Sequence, residues 1–274
     1  MMTPRTRPLI ALLAALLAAL TIGGCAMAPD SGEPLRPAEL ETLVSELTLA
    51  LSGEGSYRGT GKGEITVSGR TLKVAFAVVY ERPGWLRADL RPELGTLGAS
   101  LTALGTMENG CARMFFPARL LVVTGCVSDV AGDVAELDPA ALVLGLPDPS
   151  LLSRLEGVSS SRRGERVRIA GHYGGANVVV EVNESLPAIT AIEIARDDSD
   201  DRMRLTYGGH GWKSAAPVPR TVEMTALEGT SRELGMSVRY ETLKPAGPVD
   251  RAEYEPVVPD GVLEIDWKEL NIWR

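Results

Sequence analysis

The feature that most constrains the fold of this 274-residue chain is a long series of segments in which apolar and polar residues alternate. From Thr71 to Tyr80 every second residue is large and apolar, and the same pattern returns from Arg202 to Tyr207. An alternation of period two places the apolar side chains on one face of a β-strand. We count about ten or eleven such strands with Gly, Asn or Pro between them, which is typical of an antiparallel sandwich or barrel.

Three short segments have helical periodicity instead. Pro37 begins the first, and the other two run from Asp138 to Leu146 and from Ser150 to Leu155. Because a long series of half-apolar strands must cover its apolar face, we expect a mainly β fold with some α-helix. Its strongly curved antiparallel sheet would wrap around the helices as an incomplete β-barrel with a helical lid and an apolar hollow. A closed sandwich is the competing solution.

The N-terminus has the order of a secretory signal. Arg5 and Arg7 precede a run of 14 residues, 9–22, that is apolar except for Thr21, and two glycines then lead into Cys25. The run is shorter than the roughly 20 residues needed to cross a bilayer core. Residues 22–25 resemble a bacterial lipobox, a signal in which the cysteine sulfur is acylated and the chain is cut before it. An ordinary signal peptide with a coincidental cysteine is the alternative.

This reading predicts a lipoprotein signal peptide at residues 1–24 and a lipidated tether at residues 25–37. Two or three acyl chains on Cys25 would attach the protein to a membrane durably, since each buried CH₂ contributes about 0.8 kcal/mol. Ala26 stands where an inner-membrane retention signal commonly has Asp, so we expect the periplasmic face of the outer membrane. Residues 38–262 would form one domain, followed by a C-terminal tail at residues 263–274.

The charge of the chain argues against a nucleic-acid partner. Arg5 and Arg7 are the only charged residues of the signal, so cleavage would leave 26 of the 28 basic residues against 36 acidic ones, a net charge of −10. Such a chain has no basic stripe that could follow phosphates. It would also be repelled by anionic headgroups, so that the lipid anchor, not charge, would attach it to the membrane.

The residues that usually carry catalysis are few and scattered. His172 and His210 both stand in glycine-rich strand ends, and no spacing of His and Cys supplies the three or four ligands of a zinc site. No nucleophile elbow, Walker motif or dinucleotide fingerprint is present, so the sequence predicts no cofactor and no enzyme activity. A hydrolase of envelope polymers is the weaker alternative.

Two cysteines are predicted to form a disulfide in an oxidising periplasm. With Cys25 acylated, Cys111 and Cys126 remain as an even pair. They flank a hairpin whose turn is Pro117 to Arg119, and positions summing to 237 face each other across it. Cys111 is then opposite Cys126, within disulfide reach. Two free thiols in the unreduced mature protein would contradict this pairing.

Several short motifs resemble the LolA/LolB superfamily of periplasmic carriers and outer-membrane acceptors for lipoproteins. The resemblance covers residues 38–262, and its motifs lie at Glu81–Arg87, Arg91–Gly95, Leu205–Gly209, Pro217–Pro219 and Val222–Met224. The cysteine pair and the tail after Gly261 are not part of that pattern.

The resemblance implies acyl chains of lipids or lipoproteins held in the hollow, and a periplasmic carrier protein as a further partner of a monomer. Leu94 matches the exposed leucine of the LolB loop that helps to insert cargo into the membrane. The hollow would be lined by inward strand residues: Leu72, Val74, Phe76, Leu90, Met203 and Leu205. Simple core packing is the alternative for all seven. The rival function is a structural or sensory envelope lipoprotein that binds a protein partner with the same fold.

Overall fold

The computed structural model describes residues 32–52, 55–67, 70–93, 102–126, 137–197, 202–213, 216–228, 232–266 and 269. Almost all of the strands in these ranges join one curved, open sheet of 15 strands, and a separate two-stranded ribbon accompanies it. The predicted incomplete barrel is therefore confirmed, and the closed sandwich is not formed. The strand number is larger than expected, because several short edge and ribbon strands carry no alternating pattern.

The first half of the sheet is an antiparallel meander in which each strand pairs with the next. Its strands are β2 (Ser56–Val67), β3 (Arg70–Glu81), β4 (Trp85–Pro92), β5 (Ala103–Glu108), β6 (Cys111–Phe116) and β7 (Leu121–Cys126). Consecutive pairing of this kind follows from short turns, which leave an antiparallel neighbour as the nearest partner.

The second half is another meander, which returns to the start of the first. Its strands are β8 (Glu156–Arg163), β9 (Arg166–Tyr173), β10 (Ala176–Asn183), β11 (Ala188–Arg196), β12 (Arg202–Gly208), β15 (Thr221–Glu228) and β16 (Arg232–Ala246). The ribbon strands β13 (Gly211–Lys213) and β14 (Ala216–Val218) lie between β12 and β15 in the chain. Strand β16 pairs with β2 and so joins the two meanders.

Two short strands form the edges of the sheet, outside the residues expected for the domain. Strand β1 (Glu33–Pro34) pairs with β8, although residues 25–37 are expected to be a solvated tether. Strand β17 (Leu263–Asp266) pairs in parallel with β7, although residues 263–274 are expected to be a tail. Strand β1 has only two residues, too few for an alternation, whereas β17 alternates between apolar and polar residues over its four positions.

The helical segments lie close to their expected positions. Helix α1 spans Pro37–Leu51, helix α2 spans Pro139–Leu144, and the third segment is a 3₁₀ helix at Pro149–Arg154. Helix α1 lies against the 3₁₀ helix and near β11 and β14, whereas α2 lies near β15. All three are therefore on the apolar face of the sheet, which we call the inner face.

Glycines in β2 explain how the sheet bends at its centre. A Cβ on Gly59 would lie 2.7 Å from the carbonyl oxygen of Thr242, and one on Gly61 would lie 2.6 Å from the ring of Phe76. Opposite this stretch the register of β16 shifts between Tyr240 and Thr242. Because strand glycines and bulges both allow close approach and sharp bending, the two meanders can curve toward each other here.

The cysteine hairpin confirms the predicted disulfide. Strands β6 and β7 pair with Cys111 opposite Cys126, and a 3₁₀ turn at Pro117–Arg119 joins them. The two Cα atoms are 3.9 Å apart and the sulfur atoms are bonded. The disulfide therefore fixes the end of this hairpin away from its turn.

The C-terminal segment covers part of the outer face of the first meander. Trp85, Phe115 and Val122 point outward, yet each is at most 4% exposed. The Trp85 ring lies 6.3 Å from the ring of Tyr254, and the Arg87 guanidinium donates a hydrogen bond to the carbonyl oxygen of Tyr254. The segment that leads into β17 thus gives the outer face a small apolar core of its own.

Candidate functional site

The inner face is the candidate site, because all six residues predicted to line the hollow lie on it. Leu72, Val74 and Phe76 are on β3, Leu90 is on the neighbouring β4, and Met203 and Leu205 are on β12 in the other meander. Each is at most 9% exposed, and all six belong to one contiguous apolar core. The fold brings them to one face, where they pack with other side chains, and a ligand role for them remains a prediction.

The inner face is covered by aliphatic side chains from the helical segments. Helix α1 contributes Leu43, Leu47 and Leu51, of which Leu47 is completely buried. Helix α2 contributes Leu142 and Leu144, and the 3₁₀ helix adds two further leucines. These buried helix side chains are therefore all hydrocarbon, and an acyl chain has the same chemistry.

Helix α2 is attached to the sheet by a half-buried hydrogen-bond network around Asp138. The Asp138 side chain caps the helix by accepting from the backbone N–H of Ala141 at 3.0 Å. It also accepts from the hydroxyl of Tyr80 at 2.6 Å and from the backbone N–H of Gly84 at 2.8 Å. One carboxylate thus joins the helix to β3 and to the turn that follows it.

Two further bonds hold the same helix. The hydroxyl of Tyr207 donates to the carbonyl oxygen of Leu142 at 3.0 Å. The guanidinium of Arg82 donates to the carbonyl oxygen of Leu146, two residues beyond the end of the helix, at 3.1 Å. Burial raises the pKa of Tyr207. Burial, with the nearby charge of Asp138, also raises the pKa of Tyr80. Both hydroxyls therefore stay protonated donors throughout the neutral range.

Helix α1 has a different attachment. The Glu39 carboxylate accepts from the backbone N–H and from the guanidinium of Arg36, both at 2.9 Å, and lies 3.8 Å from Arg162. These contacts are at the surface, where ion pairs are worth little. Hydrogen bonding to Arg36 lowers the pKa of Glu39 to about 2. Within the described residues, no buried side-chain hydrogen bond joins α1 to the sheet.

Two predicted site residues lie outside the part of the chain that the structure describes. These are Cys25, the predicted lipidation site, and Leu94, the predicted membrane-insertion residue. Both roles stay predictions.

Sequence reasoning missed the residues that position the helices, namely Asp138, Tyr80 and Tyr207. The pair Asp138 and Pro139 does signal the start of a helix. Nothing in the sequence, however, reveals that the same carboxylate bonds to a tyrosine 58 positions earlier.

The described residues contain no group of three or more His, Cys, Asp or Glu side chains that could hold a metal ion. Among the described helices, none combines the length and apolar content required to traverse a bilayer. Burial lowers the pKa of His210, and a hydrogen bond with the backbone at Ile189 opposes this shift. Among the described residues, the apolar inner face is therefore the best candidate for a site that binds an apolar ligand.

Comparison with solved structures identifies the fold. A domain from Vibrio parahaemolyticus, described provisionally as an outer membrane lipoprotein-sorting protein domain, superposes with a TM-score of 0.53 at 9% identity. The match covers 78% of this chain and 95% of that one. The chain thus shares the fold of that domain, a curved open sheet with helices on its inner face. At this identity the likeness concerns the fold alone.

Two other solved structures match over a similar length. A DUF1329 family protein from Desulfovibrio piger has a TM-score of 0.48 at 11% identity, covering 81% of this chain and 98% of that one. A LolA superfamily protein from Nitrosomonas europaea has a TM-score of 0.47 at 11% identity, covering 79% and 97%. These scores are too low to carry an argument. No protein-family model matches the chain, and no curated protein matches it.

Proposed function

We propose that the protein is a membrane-anchored envelope lipoprotein whose inner face binds acyl chains of lipids or lipoproteins, in the localisation of lipoproteins to the outer membrane. The observation that carries this proposal is an aliphatic inner face covered by helix α1, which contributes leucines and, among the described residues, no buried polar link to the sheet. Displacing such a helix would break no buried side-chain hydrogen bond to the described part of the sheet.

Magnitudes support an exchange between α1 and an acyl chain. Exposing Leu43, Leu47 and Leu51 to water would cost roughly 1.5–3 kcal/mol for each side chain. Burying a chain of about 16 carbons contributes about 12 kcal/mol at about 0.8 kcal/mol per CH₂. The ligand therefore more than offsets the displaced leucines. Release into a bilayer is close to neutral, because lipid is an equally apolar destination.

Native mass spectrometry of the mature protein purified from a periplasm tests the proposal directly. We expect co-purifying phospholipid or acyl species, and after their removal we expect saturable binding of a fluorescent fatty acid. A protein that carries no lipid and does not bind the fatty acid would contradict the proposal. A partner protein captured without lipid would instead support the rival reading of a structural or sensory lipoprotein.

A pair of variants in α1 separates lid exchange from ordinary core packing. Leu47 is completely buried, whereas Leu49 on the opposite side of the helix is 79% exposed. If α1 competes with acyl chains, Leu47→Ala weakens the competitor and raises fatty-acid affinity several-fold, while Leu49→Ala leaves it unchanged. Equal affinities in the two variants would show that α1 does not compete with the ligand.

The membrane attachment and the delivery step have separate tests. Cys25→Ser should move the protein from the membrane fraction to the soluble periplasmic fraction and abolish labelling with palmitate.

Leu94→Glu should leave folding intact but impair the transfer of lipoprotein cargo to membranes. Unchanged transfer would remove the role of Leu94 without affecting the proposal for the inner face.

A further inference from the structure

A groove beside the β13–β14 ribbon concentrates positive charge in an acidic chain. It has a volume of about 650 Å³ and lies where the ribbon approaches β16. Its lining includes Lys62, Arg220, Arg239 and Lys244, with Glu241 as its one acidic side chain. The complete chain has a formal net charge of −8, so a cluster of four cations contrasts with its composition.

Strand pairing places like charges directly opposite each other along this groove. The register of β16 and β2 puts Arg239 directly opposite Lys62, and Lys244 directly opposite Arg58. Like charges in directly opposed positions destabilise a sheet. Lys62 has a partner in Glu93 at 2.9 Å. Arg220, Arg239 and Lys244 form no ion pair within the described part of the chain.

The apolar side of the groove indicates what kind of anion would fit. Val218, Pro219 and Leu243 are buried residues of its lining, and Val218 and Leu243 also belong to the inner core. A free phosphate would leave this hydrocarbon surface without a partner. A ligand that has an anionic head and an apolar body satisfies both sides.

We propose that this groove binds the phosphodiester headgroup of an anionic phospholipid. The inference rests on the proposed function and deepens it by naming the lipid class. The headgroup would lie among Lys62, Arg220, Arg239 and Lys244, where charge-assisted hydrogen bonds to phosphate are strong. Its acyl chains would follow Val218 and Leu243 toward the inner face.

Gly211 offers a way to test the charge without disturbing the fold. It lines the groove, and a Cβ added there would meet no atom within 4 Å. Gly211→Glu introduces a carboxylate that competes with the anion, and Gly211→Gln is the matched control of the same size without charge. A double variant, Arg239→Gln with Lys244→Gln, removes two positive charges from the groove. Its control is the double variant Arg163→Gln with Arg166→Gln, which removes two positive charges elsewhere. Arg163 and Arg166 are likewise exposed and directly opposed, on β8 and β9.

The experiment is calorimetric titration of the whole protein with dihexanoylphosphatidylglycerol and with dihexanoylphosphatidylcholine, both below their micellar concentrations. We expect the anionic lipid to bind about ten-fold more tightly, which corresponds to about 1.4 kcal/mol. Gly211→Glu and the Arg239 and Lys244 double variant should abolish this preference, whereas both controls should keep it. Circular dichroism spectra that match the natural protein confirm that each variant is folded.

Three outcomes would overturn the assignment but not the proposed function. These are equal binding of the two lipids by the natural sequence, loss of the preference in a control variant, and binding of glycerol phosphate as tightly as of the anionic lipid. The last would show that the groove takes free phosphates. If both lipids bind equally, the headgroup site fails while the acyl site stands. If neither lipid binds, the proposed function fails as well.

Discussion

Helices α1 and α2 cover the same inner face but are attached to the sheet in different ways. Helix α2 has six residues and three buried or half-buried polar links, through Asp138, Tyr207 and Arg82. Helix α1 has 15 residues, and among the described residues its links to the sheet are leucines and surface ion pairs. The short helix is fixed in place, and the long one is held by apolar contact.

The physical reason lies in helix length. A helix of fewer than about 12 residues is marginal by itself, because its few internal hydrogen bonds do not offset the cost of nucleation. Helix α2 therefore depends on its cap and on bonds to the sheet. Helix α1 has enough length for a continuous apolar stripe, and apolar contact is non-directional. We therefore infer that α1, and not α2, is the helix that opens.

The largest effect is expected from Asp138→Ala, which removes the bonds to Tyr80, Gly84 and Ala141 together. We expect a loss of about 2–4 kcal/mol in the free energy of unfolding, measured in urea. Asp148→Ala is the matched control, since Asp148 caps the 3₁₀ helix through Ser150 and forms no bond to the described strands of the sheet. It should cost about 1 kcal/mol or less. Equal costs would show that Asp138 acts only as a cap.

Alkaline pH should act on the attachment of α2. The folded-state pKa values of Tyr80 and Tyr207 are raised above the ordinary value near 10, so the unfolded chain loses these protons first. The contribution of the two tyrosines to the free energy of unfolding is complete below pH 10. Above pH 10 the free energy of unfolding declines by about 1.4 kcal/mol per pH unit for each tyrosine. In Tyr80→Phe, the slope of the free energy of unfolding against pH should be smaller by the contribution of one tyrosine. An unchanged slope would exclude Tyr80 as a contributor.

Tyr207→Phe should have a moderate effect, because it removes one buried hydrogen bond to Leu142 and little volume. The expected cost is about 1 kcal/mol in urea unfolding. Tyr240→Phe provides the comparison, since the described residues supply no hydrogen-bond partner for the Tyr240 hydroxyl. If both variants lose the same stability, the bond to Leu142 does not hold α2.

The smallest effect is expected at the surface of α1. The folded-state pKa of Glu39 is lowered to about 2, whereas the unfolded-state value is near 4.5. The contribution of Glu39 to the free energy of unfolding is therefore present above pH 4.5 and is lost as the pH falls through about 2. NMR shifts of the α1 amides should follow this loss in the natural protein and lack it in Glu39→Gln. A shift that persists in the variant would assign the acid transition to another group.

The alternating pattern predicted the curved sheet and the six residues of its inner face, because burial of one face requires period two. It also predicted the pairing of Cys111 with Cys126, since a short turn fixes the register of a hairpin. The outer cover of Trp85 by Tyr254 was not predicted. Trp85 breaks the alternation on the outward side, which is a signal that something covers it, but the covering segment is 169 positions away.

The sequence by itself determined which side chains must leave water and which strands could pair with their neighbours, because both follow from local periodicity and short connections. Only the tertiary structure decided that β16 joins β2, that Asp138 holds α2 to the sheet, and that four cations meet in one groove. These contacts unite residues from distant parts of the chain. Their geometry depends on how the whole sheet bends, and no local pattern encodes it.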